Sequence, residues 1–188
     1  MKRLSAQFAR PLTNKQVELG TTSLRLQENM TLVLRRYEPS DSQAVWALHR
    51  LASEVAGLPT PEQYFSDLHD VESTFINSSG EFIVGEYKGQ IVAMGGLKRT
   101  TGDRAEIVRM RVHPNFQRQG FASALLRHLE KCATDLGHRT VHLDTLVVQE
   151  AAQQLYIRHG YRCVGSGHKE DFEVVFFEKQ LSFNQSEA

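Results

Sequence analysis

From Met30 onward the apolar and polar positions follow two rhythms, and these divide the chain into elements. The run "MTLVLRRYEPSD" (30–41) is β-rich and ends at Pro39 and Asp41, residues suited to a turn and a helix N-cap. Behind it Ala44, Val45, Leu48, Leu51, Ala52 and Val55 recur at three and four residue spacing, which predicts a helix stopped by Gly57 and Pro59. A second helix is predicted over 61–77, with Thr60 as N-cap, Pro61 at the first helical position and "SSG" at 78–80 closing it. "EFIVGEY" (81–87) and "QIVAMGGL" (90–97) form an expected hairpin turning at Lys88 and Gly89, with a bulge at Gly95 and Gly96.

After the polar "KRTTGDR", "AEIVRMRVHP" (105–114) has the pattern of another strand. The clearest helix covers 120–136, with Ala122, Leu125, Leu126, Leu129, Cys132, Ala133 and Leu136 on one face and Gly137 as its stop. "TVHLDTLVV" predicts a strand, "QEAAQQLYIRH" a short helix, and "YRCVGSG" and "FEVVFFEKQL" two closing strands. The order β, α, α, β, β, β, α, β, α, β, β predicts a single-domain α/β protein, a mixed sheet with helices on its faces. The domain is expected over 30–181, with an extension at 1–29 and a polar tail at 182–188.

Composition narrows the function. A chain of 188 residues, 40% hydrophobic, supports one core rather than two. Its 22 basic and 22 acidic residues cancel, so net charge directs it to neither nucleic acid nor an anionic membrane. Cys132 and Cys163 stand far apart without a CxxC pair, which indicates neither a disulfide framework nor a zinc knuckle and fits a reducing, cytoplasmic location. No apolar run approaches the roughly 20 residues that span a bilayer. The first sixteen residues carry Lys2, Arg3, Arg10 and Lys15 and no acid. That composition fits an organellar transit peptide as well as a loosely attached extension, and the extension is the working expectation.

The candidate chemistry lies in "VHPNFQRQGFASALL" (112–126), where a glycine turn opens a helix. Unpaired N–H groups at the positive end of a helix dipole bind anions. Between Ile107 and Leu129 the chain has Arg109, Arg111, Arg118, Arg127, His113 and His128, and no acid. Solvated faces would account for the arginines equally well. GxxxxGK[ST], GxGxxG after a strand and GxSxG are all absent, and His138 and His142 lack the glutamate of a zinc protease and flank a strand instead.

"QRQGFA" (117–122) resembles the Q/R-x-x-G-x-G/A signature of the GNAT superfamily of acyl-CoA N-acyltransferases. Downstream, "LDTLVVQEAAQQLYIRHGY" is similar to that superfamily's second motif, a strand followed by a helix ending in Leu-Tyr and then Gly-aromatic. The resemblance spans about 31–181. It implies a mostly antiparallel sheet whose two central parallel strands splay apart, and an N-acetyltransferase that moves an acetyl group from acetyl-CoA, the acyl-donor co-substrate, to a primary amine by direct attack in a ternary complex. It implies that Gln117, Arg118, Gln119, Gly120, Phe121, Ala122 and Ser123 surround the pyrophosphate, and that Met110, Arg111 and Val112 run beside the pantetheine arm. Gln149 stands where the superfamily usually has asparagine.

Such a transfer needs a neutral amine. With a pKa of about 10.4, a lysine-like amine costs about 4.6 kcal/mol to hold neutral at pH 7, which calls for a general base. Glu106 takes that place by the resemblance; a strand end or a salt bridge to an arginine accounts for it equally. Tyr156 stands where the superfamily often has the proton donor to the departing thiolate, and core packing is its other reading. The Met110 amide is the expected polariser of the carbonyl, and no metal is needed. Alternation would put Glu106, Val108, Met110 and Val112 on one face and Ile107, Arg109 and Arg111 on the other.

Acceptor choice is expected to rest with 55–66 and 165–173, which hold Tyr64, Phe65, His168, Glu170 and Asp171. A small-molecule amine is favoured over a protein, because no long peptide-binding insertion is present. Nucleic acid and membrane are not expected partners; a homodimer is compatible with the sequence. The competing reading is a non-catalytic acetyl-CoA-binding regulatory module.

Overall fold

The computed structural model describes residues 31–57 and 62–182; the expected extension, the capping pair Thr60 and Pro61, and the tail from 183 lie outside them. The described residues open with β1 (Val33–Arg36) and α1 (Ser42–Val55). The hairpin of β2 (Glu81–Tyr87) and β3 (Gln90–Arg99) follows, then β4 (Arg104–Val112) and α2 (Phe121–Asp135). β5 (Thr140–Leu146), α3 (Glu150–Arg158), β6 (Arg162–Lys169) and β7 (Phe172–Gln180) complete it. The strands form one sheet in the order β1-β2-β3-β4-β5-β7-β6. Among the described strands only β4 and β5 run parallel.

Hydrophobic burial divides into two layers. Leu125, Leu126, Leu129 and Ala133 of α2 pack on Ile83, Ala93, Leu97, Ile107, Val141, Leu143 and Phe177 of the sheet. On the other face Val45 and Leu48 of α1, with Leu68, Val71 and Phe75, cover Phe82, Val84 and Met94. Each fully buried Leu or Phe contributes about 1.5–3 kcal/mol, so the layers fix where the strands lie. The β2–β3 turn is as expected: Lys88 (φ 54°) and Gly89 (φ 74°) both take the left-handed conformation that matches hairpin twist.

Three expectations are corrected. The helix foreseen over 61–77 is instead a short 3-10 segment (Glu62–Leu68) kinked at Phe65, followed by a π turn at Glu72–Ile76. Phe65 lies 4.2 Å from the His49 ring, and Asp67 is held by Lys98 and Arg109. The Asp70 carboxylate accepts from the Ser73 amide (2.9 Å), a local bond that competes with continuous helix. In α1 the buried face includes His49 and Ser53, while Val55 is 63% exposed.

The third correction concerns β4. Opposite Gly95, between the pairs Gly96↔Val108 and Met94↔Arg111, β4 carries one extra residue, and Arg109 there has φ 57°. The irregularity foreseen at Gly95 and Gly96 is real, but the inserted residue belongs to the partner strand. Simple alternation therefore fails. Val108 packs against the α1 layer and Ile107 against the α2 layer, yet Met110 and Val112 also face the α2 layer. Glu106 and Met110 do not share a face as alternation required. Gly95 is glycine because a Cβ there would lie 2.9 Å from Leu129 Cδ1 and 3.3 Å from Met110 Cγ.

The parallel pairing is brief: Arg104↔Thr140, Ala105↔Val141 and Glu106↔His142. Beyond it the strands diverge, while β5 stays paired with β7 along its whole length. The expected splay is therefore present.

Candidate active site

Where β4 ends, Pro114–Phe116 forms a single 3-10 turn and the chain reaches Gly120, whose φ of 84° makes it the N-cap of α2. Arg118 (φ 60°) is also left-handed. Among the described residues no side chain caps this helix, which leaves the amides of Phe121, Ala122 and Ser123 open to an anion. A Cβ on Gly120 would meet nothing within 4 Å; glycine is needed there for its backbone angle, and open space lies above it. Phe116 and Phe121 pack against Tyr87 behind the turn. Gln119 donates to the Asn115 carbonyl (3.3 Å), and Ser123 Oγ lies 3.0 Å from His159 Nε2.

The turn stands at the top of the splay. The His113 amide donates to Val92 on β3 (2.8 Å), so by ladder alternation the amides of Met110 and Val112 face the gap toward β5. Two side chains cover the carbonyls of that edge: Arg111 Nη1 donates to the Met110 oxygen (2.9 Å) and Gln117 Nε2 to the Val112 oxygen (3.4 Å).

Below the gap lies a cavity of about 370 Å³, within the range of small-ligand sites. β4 supplies Glu106, Arg109 and Arg111, β5 supplies Asp144, and the 3-10 segment supplies Tyr64, Phe65 and Asp67. The end of β6 adds Lys169, and the turn after it adds Glu170. Lys169 Nζ bridges the two carboxylates, 3.1 Å from Glu106 and 2.6 Å from Asp144. Burial pulls the Lys169 ammonium down, but Asp144 and Glu106 more than offset it and leave its pKa raised. On the opposite wall Asp67 receives Lys98 Nζ (2.8 Å) and Arg109 Nε (3.0 Å). Burial pushes the Asp67 carboxyl up; the two cations reverse this and hold it below the usual range. Tyr64 OH donates to Asp171 (2.7 Å), tying the 3-10 segment to the β6–β7 turn across the cavity.

Tyr156 is buried beside Tyr161 and Phe177 and does not line the cavity. Burial pushes its hydroxyl up to about 12, with the Arg111 charge opposing, so the phenol stays protonated. Gln149 caps α3, and its side-chain oxygen accepts from Thr145 Oγ1 (2.8 Å) and the Leu146 amide (3.4 Å). That oxygen holds the end of β5.

The structure thus brings Glu106, Arg111 and Gln149 to one cavity, with the 117–123 turn and the Met110–Val112 edge above it. Tyr64, Phe65 and Glu170 line the cavity, and His168 turns away toward Glu173 (3.8 Å). Sequence reasoning missed Ser53, Asp67, Lys98, Asp144 and Lys169. A signal existed for Asp144, a charge inside the apolar alternation of "VHLDTL". For the others none was available.

The family model described as Acetyltransferase (GNAT) family matches residues 43–161. The chain is 30% identical over 105 residues to N-acetyltransferase 8F1 of Rattus norvegicus, covering 53% of this chain and 48% of that protein. It is 35% identical over 74 residues to the N-acetyltransferase YedL of Escherichia coli (strain K12), covering 38% and 46%. The chain therefore spans about half the length of these curated relatives. Among solved structures, a GNAT family acetyltransferase from Staphylococcus aureus Mu50 superimposes with a TM-score of 0.75 at 19% identity, over 81% of this chain and 100% of that one. The PaiA N-acetyltransferase of Thermoplasma acidophilum, solved with coenzyme A, gives 0.66 at 17% identity over 80% and 99%.

Proposed function

Since the chain belongs to the GNAT acetyltransferase family, we propose that it is an acetyl-CoA-dependent N-acetyltransferase acting on a primary amine of a small molecule. One observation carries the reading: the uncapped N-terminus of α2, opened by left-handed Arg118 and Gly120, stands directly above the splay of β4 and β5. The open amides suit a pyrophosphate, and the N–H groups of Met110 and Val112 that face the gap suit the carbonyls of a pantetheine arm. Acetyl-CoA supplies the activated acetyl thioester.

The chain's own groups do the rest. Met110 N–H faces the gap and is placed to polarise a carbonyl there. Glu106, on the cavity wall, takes the proton that the acceptor ammonium must lose. Tyr156 holds a proton through neutral pH, as a donor to the departing thiolate must, and it stands outside the cavity lining. A cavity of this size, closed across by the Tyr64–Asp171 bond, supports a small acceptor over a protein. Cytoplasmic location remains part of the proposal, supported by two free cysteines.

Thermal melting with acetyl-CoA and a thiol-release assay over an amine panel test it together. A ligand at 100 times its Kd stabilises by about 2.7 kcal/mol. An upward shift with thiol release is the expected result; a shift without release from any amine favours a regulatory binding module; no shift at millimolar acetyl-CoA overturns the reading.

A further inference from the structure

The cavity is electrically lopsided. On one wall three cations, Lys98 from β3 and Arg109 and Arg111 from the later part of β4, face one anion, Asp67 of the 3-10 segment. Lys98 and Arg109 share the Asp67 carboxylate. Arg111 has no carboxylate among the described residues: its Nη1 rests on the Met110 carbonyl, and its buried Nε has no partner. Ser53, from α1, lines the same cavity, and its Oγ is likewise buried without a partner among the described residues. A guanidinium withdrawn from water without a counter-ion is costly, and two unpartnered donors on residues that line one cavity are the groups a carboxylate would satisfy.

The other wall has the opposite sign. Glu106, Asp144 and Glu170 outnumber Lys169, and the Lys169 ammonium already occupies the point between Glu106 and Asp144. A primary ammonium therefore fits there.

We propose that the acceptor is an amino acid-type zwitterion, its amine seated at Glu106 and Asp144 in place of Lys169 and its carboxylate received by Arg111 and Ser53. The inference rests on the acetyltransferase reading and adds the acceptor class to it. Arg111 is then a specificity-determining residue rather than a cofactor ligand.

The test compares glycine, β-alanine and leucine with glycinamide, β-alaninamide and leucinamide, each with acetyl-CoA. The amides carry the less basic amines, so chemistry alone favours them. The expected result is a kcat/KM higher by about tenfold or more for the acids, carried mainly by KM, since a charge-assisted bond discriminates by that order. Arg111→Met should abolish the preference, Arg111→Lys restore part of it, and Ser53→Ala weaken it if Arg111→Met fails to fold. Equal or better turnover of the amides overturns the inference and leaves the acetyltransferase standing. Preference for acids that survives both Arg111→Met and Ser53→Ala also overturns it. Silence across these six compounds with release from another amine overturns the inference alone; silence from every amine with acetyl-CoA bound overturns both readings.

Discussion

The Lys169 ammonium lies 3.1 Å from the Glu106 carboxylate and occupies the place an acceptor ammonium would need. The two groups come from opposite sides of the splay. Lys169 is half exposed, so its pairing is worth no more than about 1 kcal/mol, or about fivefold in competition. Lys169→Met should therefore lower the KM of the best amine by up to about fivefold with kcat little changed. Initial-rate kinetics check this, and a raised KM would show instead that Lys169 helps to hold the acceptor.

Glu106→Gln removes the base while keeping size. It should reduce kcat by about a hundredfold or more at neutral pH and recover as pH rises, because the free amine then forms without help. Acetyl-CoA-induced melting shifts should be unchanged. Loss of those shifts would mean that Glu106 is structural.

Gly120→Ala adds a methyl group into open space at φ 84°. The folded protein should lose about 1 kcal/mol, from backbone conformation alone. The KM for acetyl-CoA should rise well beyond what that loss explains, because the space above the turn is where the anion would approach. Equal KM values for both proteins would place the donor elsewhere.

A Cβ on Gly96 would lie 2.4 Å from Phe75 Cε1, inside a ring that is fully buried. Gly96→Ala should cost about 1–3 kcal/mol in urea unfolding. In Gly96→Ala/Phe75→Leu the two losses should fall short of additive by about 1 kcal/mol, since the smaller side chain yields room. Strict additivity would contradict the contact.

His49 is fully buried on α1, and neither ring nitrogen has a partner among the described residues. Burial, with the charges of Arg111 and Arg109, lowers its pKa from 6.5 to about 4. Between these values the unfolded chain binds a proton that the folded chain refuses, so stability falls as pH drops from 6.5 toward 4. The loss is at most about 3.5 kcal/mol. His49→Leu should flatten the melting temperature over that interval; an unchanged slope would assign the acid sensitivity to other groups.

What was legible in the sequence was local. The turn at 117–123 announces itself through a glycine, a helix start and acid-free flanks within a few residues, and the hairpin at Lys88 and Gly89 through its own dihedral demands. The cavity was not legible because its charges converge from distant segments: Lys169 meets a carboxylate 63 positions away and another 25 away. The broken helix at 61–77 failed for a related reason, since Phe65 and Asp67 answer to His49, Lys98 and Arg109 rather than to helical spacing. Alternation along β4 failed because a bulge is a property of a pair of strands, and one strand's pattern cannot express it.

The inserted residue at Arg109 acts as a change of phase in the strand. Before it, even-numbered side chains look toward α1; after it, they look toward α2. One strand can thus hold a carboxylate on the acceptor side and still seal the far core with Met110 and Val112. Removing a single residue there would invert the second half, driving the Arg111 guanidinium into the α2 core and the Met110 side chain into the cavity. The length of this strand, as much as its composition, keeps the charged and apolar layers apart.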